Sequence, residues 1–181
     1  MTAVPTEDTV AQNVSVVRRV LEEIWNDGNV DLADELIAVD AVDNDKQPGE
    51  ENGRESFKEH VGILRGGSSD MRLNIDQVWG SGDRVVARWR WQGHQDRPLF
   101  GMPPSGKYFD ITTVAIYRVR DGQVVEIWKA TDLLQMLEQL EVLPPRGSGP
   151  VKTIAHTIAT VGRMGVRKAR YALSQRSAKA G

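Results

Sequence analysis

The sequence of 181 residues contains no cysteine and only three histidines. The absence of cysteine excludes disulfide bonds, thiolate nucleophiles and zinc–cysteine sites. No two of the histidines, His60, His94 and His156, have the close spacing of a helical metal-binding motif. We therefore expect no metal site in this protein.

Long apolar runs are also missing. No segment approaches the roughly 20 consecutive apolar residues that span a bilayer. The acidic N-terminus lacks the basic start and apolar stretch of a secretory signal. We expect a soluble, cytoplasmic protein whose 40% hydrophobic content suits one core domain with an appendage.

Acidic residues are absent after Glu141, which makes the charge distribution asymmetric. Residues 1–141 contain 15 basic and 25 acidic residues and carry a net charge of −10, whereas the remaining segment contains eight basic residues and carries +8. An acidic body argues against nucleic-acid binding, because phosphate contacts need clustered lysine and arginine. The basic segment needs a separate explanation.

The first third of the chain has helical periodicity. Apolar residues recur every three or four positions over residues 10–25, which predicts a first helix. Asp31 is placed to cap a second helix that extends through Ile37. The polar residues 39–54 predict a loop, and a third helix is expected from about residue 54 to residue 64.

From Met71 onward the pattern changes to strands. Four strands are predicted near residues 71–78, 85–95, 112–119 and 124–128, with turns at 80–83 and at Asp121–Gly122. The prolines between Gly101 and Gly106 exclude a helix or central strand there. A short helix is expected over residues 133–140. This order predicts an α+β fold in which a curved antiparallel sheet packs on the N-terminal helices and forms a cone with an apolar pocket.

Tryptophans mark one face of the predicted sheet. Trp89 and Trp91 share a face of the long strand predicted over residues 85–95, and Trp128 lies on a neighbouring strand. Large flat side chains lining a cone would suit a polycyclic or polyene ligand, although core packing explains the pattern equally well. Arg88 and Arg90 point to the other, outer side of the sheet.

Asp132 stands at the end of the last strand among apolar neighbours. Burial there would disfavour its ionised form and raise its pKa toward the range useful for proton transfer. The alternative is that Asp132 caps the helix over residues 133–140, a common position for aspartate. The two roles are compatible.

Several motifs in order resemble one family. They are GRESFKEHV, GDRVVARW, the loop from Gly93 to Gly106, IYRVRDGQVVEIW and the closing W-x3-D-x6-Q of residues 128–139. Together they resemble the SnoaL-like polyketide cyclases, relatives of nogalonic acid methyl ester cyclase with the nuclear transport factor two-like cone fold. The resemblance covers about residues 10–143, so we divide the chain into a cone domain (1–143), a linker (144–150) and a basic tail (151–181).

The resemblance implies a reaction and an acid. It implies a cofactor-free intramolecular aldol condensation of a hydrophobic polyketide, in which Asp132 matches the family's proton-transferring aspartate. It also implies a homodimer paired through the outer face of the sheet. The sequence itself suggests a lid over residues 99–108.

The chain departs from the family at two positions. Relatives commonly carry histidines where this sequence has Asn44 and Gln95, and amides cannot exchange protons near neutral pH. They can still orient a substrate carbonyl. The neighbouring His94 is expected to be exposed. The predicted substrate contacts are Asn44, Trp89, Trp91, Gln95, Met102 and Trp128.

Other functions remain open at this point. A related ring closure, or ligand binding without turnover, fits the missing histidines. A ketosteroid isomerase would find a base within residues 40–45 but lacks a tyrosine on the first helix to stabilise an enolate. A limonene epoxide hydrolase needs an arginine beside Asp132 that the sequence does not place convincingly.

The tail is predicted to form an amphipathic basic helix. Val151, Ile154, Ile158 and Val161 line one side, and basic residues follow from Arg163 without any acid. We expect such a helix to contact an acidic partner or the acidic body of its own chain; the alternatives are an anionic membrane surface and a disordered tail.

Overall fold

The computed structural model describes residues 6–46 and 51–179, and the side chains of all these residues except 174–179. Residues 1–5, 47–50 and 180–181, which include parts of the predicted cone domain, loop and tail, lie outside the described residues. The helices are α1 (Glu7–Arg19), α2 (Ala33–Leu36), α3 (Arg54–Gly66), α4 (Leu133–Gln139) and α5 (Pro150–Lys179), and the strands are β1 (Ile37–Asp43), β2 (Arg72–Ser81), β3 (Arg84–His94), β4 (Tyr108–Arg120) and β5 (Gln123–Thr131).

The strands form one curved, unclosed sheet in the order β1-β5-β4-β3-β2. Strands β2 to β5 pair antiparallel with their neighbours in the chain, as the sequence predicts. The turn between β4 and β5 has positive φ at Asp121 (52°) and Gly122 (78°), which matches the predicted tight hairpin. The predicted α+β fold is confirmed.

Strand β1 was not expected. The loop predicted over residues 39–54 is wrong for residues 39–43, and the second helix ends at Leu36 rather than Ile37. β1 pairs parallel with β5, and its register is irregular between Ile37 and Val42. Because of this irregularity its buried residues do not alternate with exposed ones, so the period-two signal of a strand is lost.

The N-terminal helix is bound to the sheet by asparagine side chains. Asn13 Nδ2 donates to Gly82 O at 3.1 Å. After α1 the chain continues as a π-helical segment, Val20–Asn26, at whose end the Asn26 amide donates to Leu73 O (2.9 Å) and accepts from Leu73 N (2.7 Å). These two bonds fix the helix against the edge strand β2.

The core lies between the helices and the concave face of the sheet. The buried helical residues Val17, Leu21 and Ile24 belong to the same apolar cluster as Trp89, Trp91, Phe109, Ile111 and Tyr117 on the strands. Burial of a large apolar side chain stabilises a fold by roughly 1.5–3 kcal/mol, so this cluster contributes most of the stability. None of the described helices is long and apolar enough to cross a bilayer.

Replacement of Asn26 by alanine tests the link between the π-helical segment and β2. We expect Asn26→Ala to lower the free energy of unfolding by about 1–3 kcal/mol, since both backbone groups of Leu73 lose their partner. The exposed Asn29→Ala is the control and should change stability by less than about 0.5 kcal/mol. Urea denaturation followed by tryptophan fluorescence measures both. Equal effects of the two variants would contradict this role of Asn26.

Candidate functional site

A small cavity opens between α3 and the β1–β5 edge of the sheet, and it encloses about 30 Å³. That is close to the volume of one water molecule. Its apolar wall consists of Ile37, Ala41, Val42, Phe57 and Ile127, and its polar wall includes Asp43, Asn52, Ser56 and His60. A space of this volume does not hold a drug-sized ligand.

Asp43 lines the cavity, and its carboxylate forms an ion pair with a lysine. It ends β1, and its carboxylate accepts a hydrogen bond from Lys129 Nζ on β5. The backbone N–H of Asp43 donates to Asn52 Oδ1 at 3.1 Å. The neighbouring Asp45 accepts a hydrogen bond from the backbone N–H of Lys129. The parallel pairing of β1 with β5 therefore places a carboxylate and an ammonium group together at the edge of the cavity.

Tyr117 lies behind this pair. It faces Ile127 across the β4–β5 ladder, and its side chain is almost completely buried. Burial raises the pKa of Tyr117 well above its usual value, and the negative charge of Asp43 raises it further. Its phenol therefore keeps its proton at all physiological pH values and acts through hydrogen bonds rather than as a proton carrier.

His60 contributes an imidazole from α3. It lines the cavity, and its ring packs edge-on against Trp25 with the centroids 6.2 Å apart. Among the described residues, no three acidic, histidine or cysteine side chains are grouped so that they could hold a metal ion.

Asp132 occupies a different place from the one expected. Its Oδ1 accepts a hydrogen bond from Gln135 N at 2.9 Å and so caps α4, and it lies 3.6 Å from an Arg146 nitrogen. The side chain is 42% exposed, so the expected desolvation is absent. The reason is local, because α4 begins one residue after β5 and the carboxylate turns to the free N–H groups of the helix. Its catalytic role stays a prediction.

Gln139 gives the closing motif a structural function. Its side-chain amide accepts from Asp110 N (2.8 Å) and donates to Asp110 O (3.0 Å). The β4–β5 ladder ends at the pair Thr113–Thr131, so Asp110 has no partner strand on that side. The glutamine takes the place of the missing strand.

Trp128 does not share a face with the other two tryptophans. It pairs with Ile116, which points to the convex side, and its ring lies under the Arg84 guanidinium at 4.9 Å. The expectation that Trp128 lines the interior is therefore corrected, because β5 presents Ile127 and Lys129 to the concave side and Trp128 to the other.

Trp89 and Trp91 lie on the concave face, buried in the core. Trp91 packs edge-on against Phe109 with the ring centroids 5.0 Å apart. The Trp91 indole N–H has no acceptor among the described residues. Contact of either tryptophan with a substrate stays a prediction, since neither lines the cavity between α3 and the β1–β5 edge.

Gln95 holds the predicted lid loop together. Its side chain donates to Arg97 O (2.8 Å) and Pro103 O (3.2 Å) and accepts from Ser105 N (2.7 Å). Met102 is half-buried, and its backbone pairs with that of Leu99. The Leu99 side chain packs closely on Gly67, where an added Cβ atom would lie 2.8 Å from Leu99 Cδ1. The amide of Gln95 thus binds its own loop.

Asn44 and His94 are both exposed. Asn44 Nδ2 donates to Ile127 O at 3.2 Å and so extends the β1–β5 pairing by one residue. His94 lies on the outer side, as expected, where its Nδ1 lies 2.7 Å from Asp70 Oδ2. The structure therefore does not bring the six predicted substrate contacts together at one site.

The sequence analysis missed most of the cavity. Residues 40–45, which include Asp43, were noted only as the place of a possible isomerase base, and His60, Tyr117 and Lys129 were given no role. Lys129 could have been found, because it follows Ile127 by two residues on the same strand face. The position of His60 depends on how α3 packs, which no local pattern predicts.

Comparisons with known proteins agree with this fold. The family model of SnoaL-like polyketide cyclases matches residues 15–140. A candidate SnoaL-like polyketide cyclase from Jannaschia sp. CCS1 is 29% identical, with a TM-score of 0.68 over 78% of this chain and 100% of its own. IdmH, a candidate polyketide cyclase from Streptomyces antibioticus, is 30% identical, with a TM-score of 0.63 over 71% of this chain and 98% of its own.

A third structure, TsrD from Streptomyces laurentii, is 26% identical, with a TM-score of 0.67 over 74% of this chain and 97% of its own. No curated protein matches the chain. The helices and curved sheet define a protein of the nuclear transport factor two-like class. Within that class, the chain belongs to the SnoaL-like polyketide cyclase family.

Two substitutions separate the capping role of Asp132 from any acid role. Asp132→Ala should lower the free energy of unfolding by about 1 kcal/mol, because α4 loses its cap, whereas Asp132→Asn should leave stability nearly unchanged, since asparagine caps equally well. Chemical denaturation measures both variants. Equal destabilisation by the two substitutions would show that capping is not what the carboxylate does.

The pair of Asp70 and His94 predicts a pH dependence of stability. The backbone N–H of His94 (2.8 Å) and its side chain hydrogen-bond to Asp70 and lower the pKa of that carboxyl to about 2, below the ordinary value of about 3.9. A carboxyl group whose pKa is lower in the folded than in the unfolded state stabilises the fold at pH values above its unfolded-state pKa. This stabilisation is lost as the pH falls through the folded-state pKa. The wild type should therefore exceed Asp70→Asn in stability above about pH 4, and the difference should vanish toward pH 2 in urea titrations.

Proposed function

We propose that this protein closes a ring in a hydrophobic, polyketide-like intermediate by acid–base catalysis without a cofactor. The observation that carries the proposal is that Asp43, which lines the cavity beside its apolar wall, is ion-paired with Lys129. Family membership supports the reaction class, and the site supplies groups that such a reaction requires.

The proposed reaction uses these groups in order. An ionised Asp43 takes the proton from a carbon next to a carbonyl group, and the electron pair moves to the carbonyl oxygen as an enolate. Lys129 Nζ–H, which is paired with Asp43, is the donor that stabilises that oxygen. The enolate carbon then bonds to a second carbonyl carbon of the same molecule, whose oxygen accepts the proton, so no oxidant or co-reactant is consumed.

The size of the cavity sets a condition. A space of about 30 Å³ does not hold a polycyclic molecule, and small-molecule sites usually measure several hundred Å³. The closed state must therefore open when a substrate binds. The exposed residues Asn44, Asp45 and Lys46 follow β1 directly, and we propose that this segment moves.

Two carboxyl groups compete for the catalytic role. Asp43 is favoured by geometry, because it lines the cavity, whereas Asp132 is favoured by its place in the family motif. Conversion of nogalonic acid methyl ester, followed by absorbance and chromatography, compares them. We expect Asp43→Asn to lower kcat by a factor of about 100 or more, as for loss of a general base.

Asp132→Asn is the matched control and should retain kcat within about threefold. Unfolding curves of both variants check that the fold persists. If Asp132→Asn alone abolishes turnover, the acid is Asp132 and our assignment fails. If the wild type binds the ester but never converts it, a binding protein without turnover becomes the better account.

A further inference from the structure

Helix α5 lies outside the part of the chain that matches the family. Its contacts with the body are polar. Thr160 is buried and its hydroxyl donates to Glu141 O at 3.2 Å, while Arg163 Nη2 donates to Thr160 Oγ1 at 2.9 Å. The ammonium of Lys107, followed by the charges of Arg163 and Arg167, lowers the pKa of Glu141. The helix therefore turns its polar side to the protein.

The apolar side of α5 points away from the body. Five of its large apolar side chains are 53–80% exposed, and they are Val151, Ile154, Ile158, Val161 and Val166. At 3.6 residues per turn these five positions fall within an arc of about 140°. Between residues 151 and 169, small residues fill the rest of the arc, namely Ala155, Gly162, Gly165 and Ala169. This is a continuous apolar surface, which we call the apolar arc.

Basic residues border the apolar arc on both sides. Lys152 and Arg170 lie about 40° beyond one border, and Lys168 lies about 20° beyond the other, by the same helical geometry. No acidic residue follows Glu141. An apolar arc flanked by cations is the pattern of a helix that lies in the plane of a lipid interface, where the cations meet lipid phosphates.

Among the described residues, neither the convex face of the sheet nor the acidic N-terminal part of the body offers α5 a matching surface. The convex face of the sheet exposes Trp79, Val114 and Ile116, but the carboxylates beside them, Asp76, Asp110 and Glu126, are already paired with Arg88, Arg90 and Arg118, so this face offers no net negative charge to a basic helix. Residues 7–59 contain 15 of the 25 acidic residues, yet in the described part of that segment Val39 is the one exposed large apolar side chain. In a second copy of the protein, too, neither the convex face of the sheet nor the described part of residues 7–59 is both acidic and apolar.

We propose that α5 binds an anionic lipid surface with its apolar arc in the headgroup region. The interface of such a bilayer is both negatively charged and apolar, which is the combination that α5 requires. The body of the protein, with a net charge of −10 over residues 1–141, would then be held on the far side of the helix. The inference does not depend on the proposed reaction.

Vesicle flotation with the full chain tests this proposal. The wild type should float with vesicles of phosphatidylcholine containing 30% phosphatidylglycerol and should bind pure phosphatidylcholine vesicles at least tenfold more weakly. Raising the salt concentration from 0.1 to 0.5 M should weaken binding, because the electrostatic part is screened. Lys168→Gln should reduce affinity about fivefold, as expected for one basic side chain near an anionic surface.

Ile158→Asp and Thr157→Asp form a matched pair. Both add one negative charge to exposed neighbouring positions of α5, but only position 158 lies in the apolar arc. Affinity should fall at least tenfold further for Ile158→Asp than for Thr157→Asp. Absence of binding to anionic vesicles, or equal losses for the two variants, would overturn the proposal. So would size-exclusion data in which Ile158→Asp dissociates a dimer while vesicle binding is unchanged.

Discussion

The register of β4 against β5 determines which side chains enter the interior of this protein. The pairs Tyr117–Ile127 and Ala115–Lys129 place Ile127 and Lys129 on the concave side, and the pair Ile116–Trp128 places Trp128 on the convex side. A shift by one residue would exchange the two sets. The ion pair with Asp43 exists only in the observed register, because Lys129 must lie on the concave side and β1 must pair with β5.

The ion pair between Asp43 and Lys129 also depends on the parallel edge strand β1. β1 ends at Asp43, and α3 crosses over before β2 begins, so the cavity lies where the crossover covers the β1–β5 edge. The wall that faces β5 therefore comes from a segment distant in sequence from the last strand. This explains why Asp43 and Lys129, which are 86 residues apart, meet at one site.

The sequence predicted much of the fold because its signals were local. The Asp121–Gly122 turn, the alternation along β4 and the apolar stripe of α1 each depend on a few neighbouring residues. β1 escaped prediction because its irregular pairing removes the alternation. The site was harder to predict, since it depends on register and on the crossover. Trp128 was assigned to the interior before the register of β4 against β5 was known. Asp132 belongs to the family motif and also caps α4, and the sequence alone does not separate these two roles.

The measurement that tests the location of the site most directly is methyl NMR of an isoleucine-labelled sample during titration with nogalonic acid methyl ester. Ile37 and Ile127 line the cavity, whereas Ile116 lies on the convex face. The account predicts shifts of the Ile37 and Ile127 methyl signals with a common saturation curve and no shift of Ile116. Saturable shifts at Ile116, with Ile37 and Ile127 unchanged, would contradict it.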